Sequence, residues 1–210
     1  MNACALNPQV RNCEEIAMVE RILAGQDQLF LKLIRPYERA VFVTAYCILQ
    51  SEADAEEVAV EAIRNGFMSL RALRPEEQFG AWLIHITVQE ARMHRSNSYS
   101  RDSIDEISEC YGQGNGEEYT YVPKDLSVWR KIHREELQEP QVRTALQMAV
   151  ASLAIEYRAV FVLRDVLKMN VAATAMALEI SEASVKGRLL RARLELRDML
   201  ALRFPRVHVR

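Results

Sequence analysis

Apolar residues recur at intervals of three and four along almost the whole chain, and no segment alternates convincingly with the period of two that a half-buried strand requires. The pattern predicts an all-α protein. A first helix is expected from about Glu14 to Ala24, ended by Gly25. Between Gln26 and Gln50, residues Leu29, Phe30, Leu33, Ile34, Tyr37, Val41, Phe42, Ala45 and Ile48 trace one apolar stripe. Pro36 interrupts that stripe and predicts a break. Ser51 is placed to cap the next helix, with Asp54 three residues on and Glu52 in the first turn. That helix is expected to run to about Leu73, before a loop at Arg74–Gln78. A third strong helix is expected from Phe79 to about Arg95, with Phe79, Trp82, Leu83 and Ile86 facing inward.

The character changes after Arg95. Ser96-Asn-Ser-Tyr-Ser100 reads as a polar breaker. From Asp102 to Leu126 there are seven acidic residues and one basic residue, around a Gly112-Gln-Gly-Asn-Gly116 stretch. This composition predicts a flexible acidic linker. Helical periodicity resumes near Pro140, with helices expected at Gln141–Leu153, Glu156–Leu167, about 171–178 and about 182–202. The expected layout is an N-terminal segment (1–25), a helical domain (26–97), a linker (98–137), a second helical domain (138–203) and a basic tail (204–210).

The 210 residues carry a formal net charge of -2, whereas a free-standing DNA-binding protein is usually basic. Any DNA-binding charge must therefore be local, and the chain is expected to need a partner. The N-terminus lacks a basic start followed by an apolar run, and no stretch approaches about 18 apolar residues. A cytoplasmic protein without membrane insertion is expected. Cys4, Cys13, Cys47 and Cys110 form no C-x-x-C, and no histidine stands at zinc spacing from them. Reduced thiols are expected, with Cys47 in the core. His85, His94, His133 and His208 are scattered, and no phosphate loop, nucleophile elbow or metal cluster appears. No enzymatic activity, metal or cofactor is expected.

The sharpest local signal is Asn170–Arg193. Asn170 can cap a short helix over Val171–Leu178, and Ser181 can cap a longer one after a break at Glu179-Ile180. Two helices so joined have helix-turn-helix spacing. Val185, Leu189, Ala192, Leu196 and Met199 share one face of the second helix, which packs inward. The other face carries Ala183, Gly187 and Leu190, flanked by Lys186, Arg188, Arg191 and Arg193. Small residues let a backbone approach a groove, arginines bond guanine edges or phosphates, and Leu190 suits a thymine methyl. From Lys186 to Arg203 there are six basic and two acidic residues, enough for local phosphate attraction. A solvated basic helix packed on a bundle is the plain alternative.

Upstream, Asp54-Ala-Glu-Glu-Val58 leads to Glu61 and Phe67, and Phe79-Gly-Ala-Trp-Leu-Ile-His-Ile86 follows. Composition alone reads these as helix-dipole complements and core. Together with Tyr157–Val166 and Ile180–Arg193, in this order, they resemble the bacterial extracytoplasmic-function sigma factors, the small two-domain members of the sigma-70 class. The resemblance covers about 26–97 and 141–202.

The resemblance implies a sigma-2-like bundle and a sigma-4-like helix-turn-helix. It implies that Asp54, Glu57, Glu61 and Phe67 meet the β′ coiled coil of core RNA polymerase, with the β flap as a second polymerase contact. The loop at Ala72–Gln78 and the helix after it would capture the melted -10 element, through Gln78, Trp82, Gln89, Arg92, His94 and Arg95. A flipped base needs a pocket, and single strands need stacking and positive charge. The helix from Ser181 would read the -35 element, with Lys186, Gly187, Leu190 and Arg191 toward bases, Arg188 and Arg193 nearer phosphates, and Ser184 among the DNA-binding residues. Promoter DNA, core polymerase and an anti-sigma factor are the implied partners. The linker would run through the polymerase cleft, where acidity mimics nucleic-acid charge.

Some positions depart from the family pattern. Gln89 stands where asparagine is usual, Val60 where glutamine is usual, and Glu179 at a turn position that is often glycine. Ala172 and Ala173 replace acidic or larger residues. Two competing functions remain beside the promoter-specificity subunit. One is a helix-turn-helix regulator whose first domain senses or dimerises. The other is a sigma-like decoy that binds an anti-sigma factor without initiating. The acidic helix beside a Trp-bearing one weighs against the first, and the basic recognition helix against the second.

Overall fold

The computed structural model of the protein describes residues 8–74, 78–102 and 140–203. Among the described residues every regular element is helical: α1 (Pro8–Leu23), α2 (Leu29–Ile34), α3 (Glu38–Leu49), α4 (Glu52–Met68), a 3-10 turn (Leu70–Ala72), α5 (Phe79–Asp102), α6 (Pro140–Ser152), α7 (Ile155–Phe161), a π turn (Val162–Val166), α8 (Val171–Leu178) and α9 (Glu182–Arg203). The all-α expectation holds. The helices fall into two compact units: α1–α5 belong to the first, and α6, α7, the π turn, α8 through Ala175 and α9 to the second. The region expected to be an acidic linker, from residue 103, and the basic tail lie outside the described residues, as do Tyr111, Tyr119 and Tyr121.

In the first unit, α3, α4 and α5 pack on one another. Val41, Ala45, Ala55, Ala62, Leu83 and Ala91 are fully buried along their contacts. Gly66 marks a close approach of α4 to α5, since a Cβ there would lie 3.0 Å from Leu83 Cδ1. An aromatic cluster closes the loop end of the bundle. Phe30 lies 5.0 Å from Phe67 and 6.5 Å from Phe79, and Phe79 lies 5.6 Å from Tyr37 and 6.0 Å from Trp82. The Tyr37 hydroxyl donates to Glu15 Oε1 at 2.6 Å, which ties α1 to this cluster. The buried threonines Thr44 and Thr87 donate to carbonyls one turn back, Ala40 at 2.7 Å and Leu83 at 2.8 Å.

Most predicted boundaries match, and the differences have physical reasons. Pro36 separates α2 from α3 as expected. Helix α1 starts at Pro8 rather than near Glu14, because proline suits a first helical position, where its missing N–H costs nothing. Helix α5 runs on through Ser96–Ser100 to Asp102 rather than stopping near Arg95. Serine and asparagine are weak helix formers, but no glycine or proline stands there, and an existing helix gains one hydrogen bond per added residue. Ile86, expected on the buried side of α5, is only half-buried. The helix expected over Glu156–Leu167 widens into the π turn, with Leu167 N–H donating to Val162 O at 2.9 Å.

In the second unit, α9 packs on α6 and α7. Val160, Leu163, Val185, Ala192 and Leu196 are fully buried there. Arg158 is buried as well, and its guanidinium donates to the Ala151 carbonyl, joining α7 to the end of α6.

Candidate nucleic-acid interface

The helix-turn-helix is built by two side-chain caps and one strained turn. Asn170 Oδ1 accepts from Ala173 N–H at 2.7 Å, satisfying an orphan donor at the start of α8. Helix α8 ends in a Schellman motif: Ile180 N–H donates to Ala175 O at 3.0 Å and Glu179 N–H to Met176 O at 3.2 Å. The motif puts Glu179 at φ 58°, the left-handed region that favours glycine. Helix α1 ends the same way, with Gln26 N–H on Arg21 O at 3.1 Å, but there Gly25 holds the left-handed position at φ 99°. Ser181 Oγ then accepts from Ser184 N–H at 3.1 Å and lies 2.9 Å from Ser184 Oγ, so the Ser184 hydroxyl joins the cap.

Helix α9 divides its faces as its spacing predicts. Val185, Leu189, Ala192 and Leu196 are buried, and Met199 is half-buried. Ala183, Lys186 and Arg191 are exposed, while Arg188 and Leu190 are half-exposed. A Cβ on Gly187 would meet nothing within 4 Å, so the backbone there is open to a close approach. The Arg191 side chain is 65% exposed and donates to Glu195 Oε1 at 3.1 Å. Arg193 differs from its neighbours. Its Nε and Nη2 donate to the two carboxylate oxygens of Asp165 at 2.8 and 2.7 Å. That hydrogen bonding holds the Arg193 pKa above its ordinary value, against the desolvation that opposes it. Expected nearer phosphates, Arg193 has its fork occupied inside the fold. Sequence reasoning missed Asp165, since two opposite charges 28 residues apart carry no local signal.

On the first unit, the residues expected to face polymerase lie on α4, capped by Ser51 Oγ accepting from Asp54 N–H at 3.4 Å. Asp54, Glu57 and Glu61 share one flank by their spacing of three and four. Phe67 lies on a different stripe with the exposed Val60, and is 38% exposed where it leans on Phe30. The Glu61 carboxylate accepts from Arg64 Nε at 2.9 Å, and that bond holds its pKa below the usual carboxylate value.

Of the residues expected at the -10 element, Gln78 is exposed just before α5, and residues 75–77 of the loop lie outside the described residues. Gln89, Arg92 and Arg95 are half-buried. Gln89 lines an open depression of about 380 Å³ between α4 and α5, with Asn65, Ser69, His85 and Glu90. Asn65 Nδ2 donates to Glu90 Oε1 across it at 2.7 Å. His94 lies toward α4, its Nε2 3.8 Å from Glu57 Oε2. Trp82 is only 8% exposed, wedged beside Phe79, so it is a core residue and offers no face for stacking on a base.

Residues 143–196, from α6 through most of α9, match the family model "Sigma-70, region 4". Among curated proteins, the chain is 26% identical over 170 residues to the ECF RNA polymerase sigma factor SigE of Mycolicibacterium smegmatis, covering 81% of this chain and 61% of that protein's length. It is 23% identical over 190 residues to the ECF RNA polymerase sigma factor SigM of Mycobacterium tuberculosis, covering 90% of this chain and 85% of that protein. The fold is similar to that of the sigma factor RpoE from Bartonella quintana, solved with the anti-sigma factor NepR, at a TM-score of 0.57 and 17% identity over 81% of this chain and 96% of that one. In sequence the chain is thus similar to extracytoplasmic-function sigma factors, and in fold to a sigma factor of the same two-unit helical kind. No helix among the described residues is long and apolar enough to cross a membrane.

Proposed function

We propose that this chain is a promoter-specificity subunit: it binds core RNA polymerase in the cytoplasm, reads the -35 element with α9 and melts the -10 element beside α5. The reading is carried by α9, where two exposed cations, Lys186 and Arg191, flank a glycine with open space over its backbone, on a helix whose start is capped. Lys186, Gly187, Leu190 and Arg191 face base edges, Ser184 approaches them from the first turn, and Arg188 supplies a phosphate contact. The acidic flank of α4 (Asp54, Glu57, Glu61), with Phe67 and Val60 beside it, docks on the β′ coiled coil, and the second unit takes the β flap. Gln78, Gln89, Arg92 and Arg95 hold the melted strand, and Trp82 supports them from the core. The domain limits follow this division, with 26–97 serving polymerase and the -10 element and 138–203 the -35 element. An anti-sigma factor, of the kind bound by the similar RpoE, is the regulatory partner.

The test is transcription. The protein is mixed with core RNA polymerase and a promoter library, and the run-off transcripts are sequenced. One shared upstream and one shared downstream element are expected among the selected promoters. Absence of promoter-specific transcripts, with no polymerase co-elution, would overturn the reading. Arg191→Ala is expected to weaken -35 recognition while leaving polymerase binding intact. Equal loss of both would show that α9 serves a different purpose.

A further inference from the structure

Helix α9 has five cations on or beside its outer face, Lys186, Arg188, Arg191, Arg193 and Arg197, and the structure treats Arg193 unlike the rest. Both prongs of its guanidinium are held by Asp165, at 2.8 and 2.7 Å, and both side chains are about three-quarters covered. A planar fork on a planar carboxylate permits essentially one approach, so such a pair fixes orientation more tightly than a point charge does. Asp165 sits in the π turn, where the backbone departs from α-helical register. Departures of this kind re-aim the side chains that they carry. On the helical wheel, Arg193 lies about 70° from the centre of the buried face, whereas Gly187 lies on the far side. It also stands about 9 Å further along the axis than Gly187. Arg193 therefore shares a flank with Lys186 but stands about 10 Å beyond it along α9, well placed to hold the helix and poorly placed to touch a base.

We propose that Asp165 is a positioning residue for promoter recognition: it withholds Arg193 from the DNA phosphates and uses it to set the angle at which α9 presents Lys186, Gly187 and Leu190. This rests on the reading of α9 as the helix that meets the -35 element. The opposite arrangement makes an opposite prediction. Were Arg193 a phosphate ligand, Asp165 would compete with DNA for it, and removing the carboxylate would strengthen binding.

The experiment uses holoenzyme reconstituted from the full chain and core RNA polymerase. Its binding to a duplex carrying the selected upstream element, and to the same duplex with that element scrambled, is followed by fluorescence anisotropy over a range of salt. Asp165→Asn and Arg193→Ala are each expected to cut the preference for the true element roughly three- to tenfold. The salt slope should stay that of wild type, because no phosphate contact is lost. The exchanged pair Asp165→Arg/Arg193→Asp should recover much of the preference, and it carries the test if a single variant fails to melt cooperatively or to bind polymerase. A fall of about 0.9 in the slope for Arg193→Ala, with tighter binding of both duplexes by Asp165→Asn, would overturn the proposal in favour of a direct phosphate contact. Unchanged preference in both single variants would overturn it as well. Failure of the underlying reading looks different: wild-type holoenzyme itself would bind the true and scrambled duplexes equally.

Discussion

Helices α5 and α9 are both long, both proposed to meet DNA, and they dispose of their side chains in opposite ways. Helix α5 packs against α3 and α4 at once, and Phe79, Trp82, Leu83, Ile84, Thr87, Val88 and Ala91 all go under. Several polar side chains left outside are half-covered, and His94 stands beside Glu57 of α4. Helix α9 buries only the narrow stripe from Val185 to Leu196 and leaves Ala183, Lys186 and Arg191 in the open. A helix gripped on two sides has little surface left for ligands, so an aromatic residue on it is first a packing element. A helix gripped along one stripe keeps most of its circumference for recognition.

The largest effect that could break this contrast is at Trp82. Trp82→Ala should destabilise the first unit by about 3–5 kcal/mol, the usual cost of emptying a buried aromatic site. Thermal or urea unfolding measures it. A variant that melts like wild type but loses -10 binding would show that Trp82 serves DNA after all.

Gly80→Ala comes next. A Cβ there would collide with Cε1 of the Tyr37 ring, so the ring must move and weaken its bond to Glu15. Overpacking of this sort costs about 1–3 kcal/mol. Unchanged stability would mean that the Tyr37 ring swings aside freely, and α5 would then be less tightly gripped than its burial suggests.

Gly187→Ala tests the other helix, with effects of opposite sign. Nothing lies within 4 Å of the new Cβ, so helix propensity alone should raise stability, by about 0.5–1 kcal/mol. If α9 enters the groove at Gly187, the same methyl group should weaken upstream-element binding. Gained stability with unchanged DNA affinity would move the closest approach elsewhere on α9.

The smallest effect is expected at the turn. Glu179→Gly relieves a left-handed residue at φ 58°, and the gain is partly offset by the greater freedom of glycine in the unfolded chain. A net stabilisation of up to about 1 kcal/mol is expected. A loss would show that the Glu179 side chain contributes more than its backbone strain costs.

Much of the fold was legible because helices announce themselves locally. The three-and-four spacing, Pro36, and the caps at Ser51, Asn170 and Ser181 each act over one or two turns, and each appears in the structure where it was expected. The exceptions were also local in origin but needed an energy comparison. Ser96–Ser100 is a poor helix sequence that an already formed helix extends through, and Val162–Val166 has no composition that marks a π turn.

The candidate site was legible in part. The exposed and buried faces of α9 follow from periodicity, so Lys186, Gly187 and Arg191 could be singled out from the sequence by itself. The same periodicity marked Trp82 as apolar, but only the approach of α3 and α4 decided that no face of its ring stays available. Arg193 is the sharpest case. By sequence it is one more cation on a basic helix. Its partner is Asp165, 28 residues earlier, brought to it by the packing of α7 and the π turn against α9. A sequence determines which side chains share a face, because helical pitch is a local property. Which of them remain free to bind depends on what the rest of the chain brings within reach, and only the tertiary structure decides that.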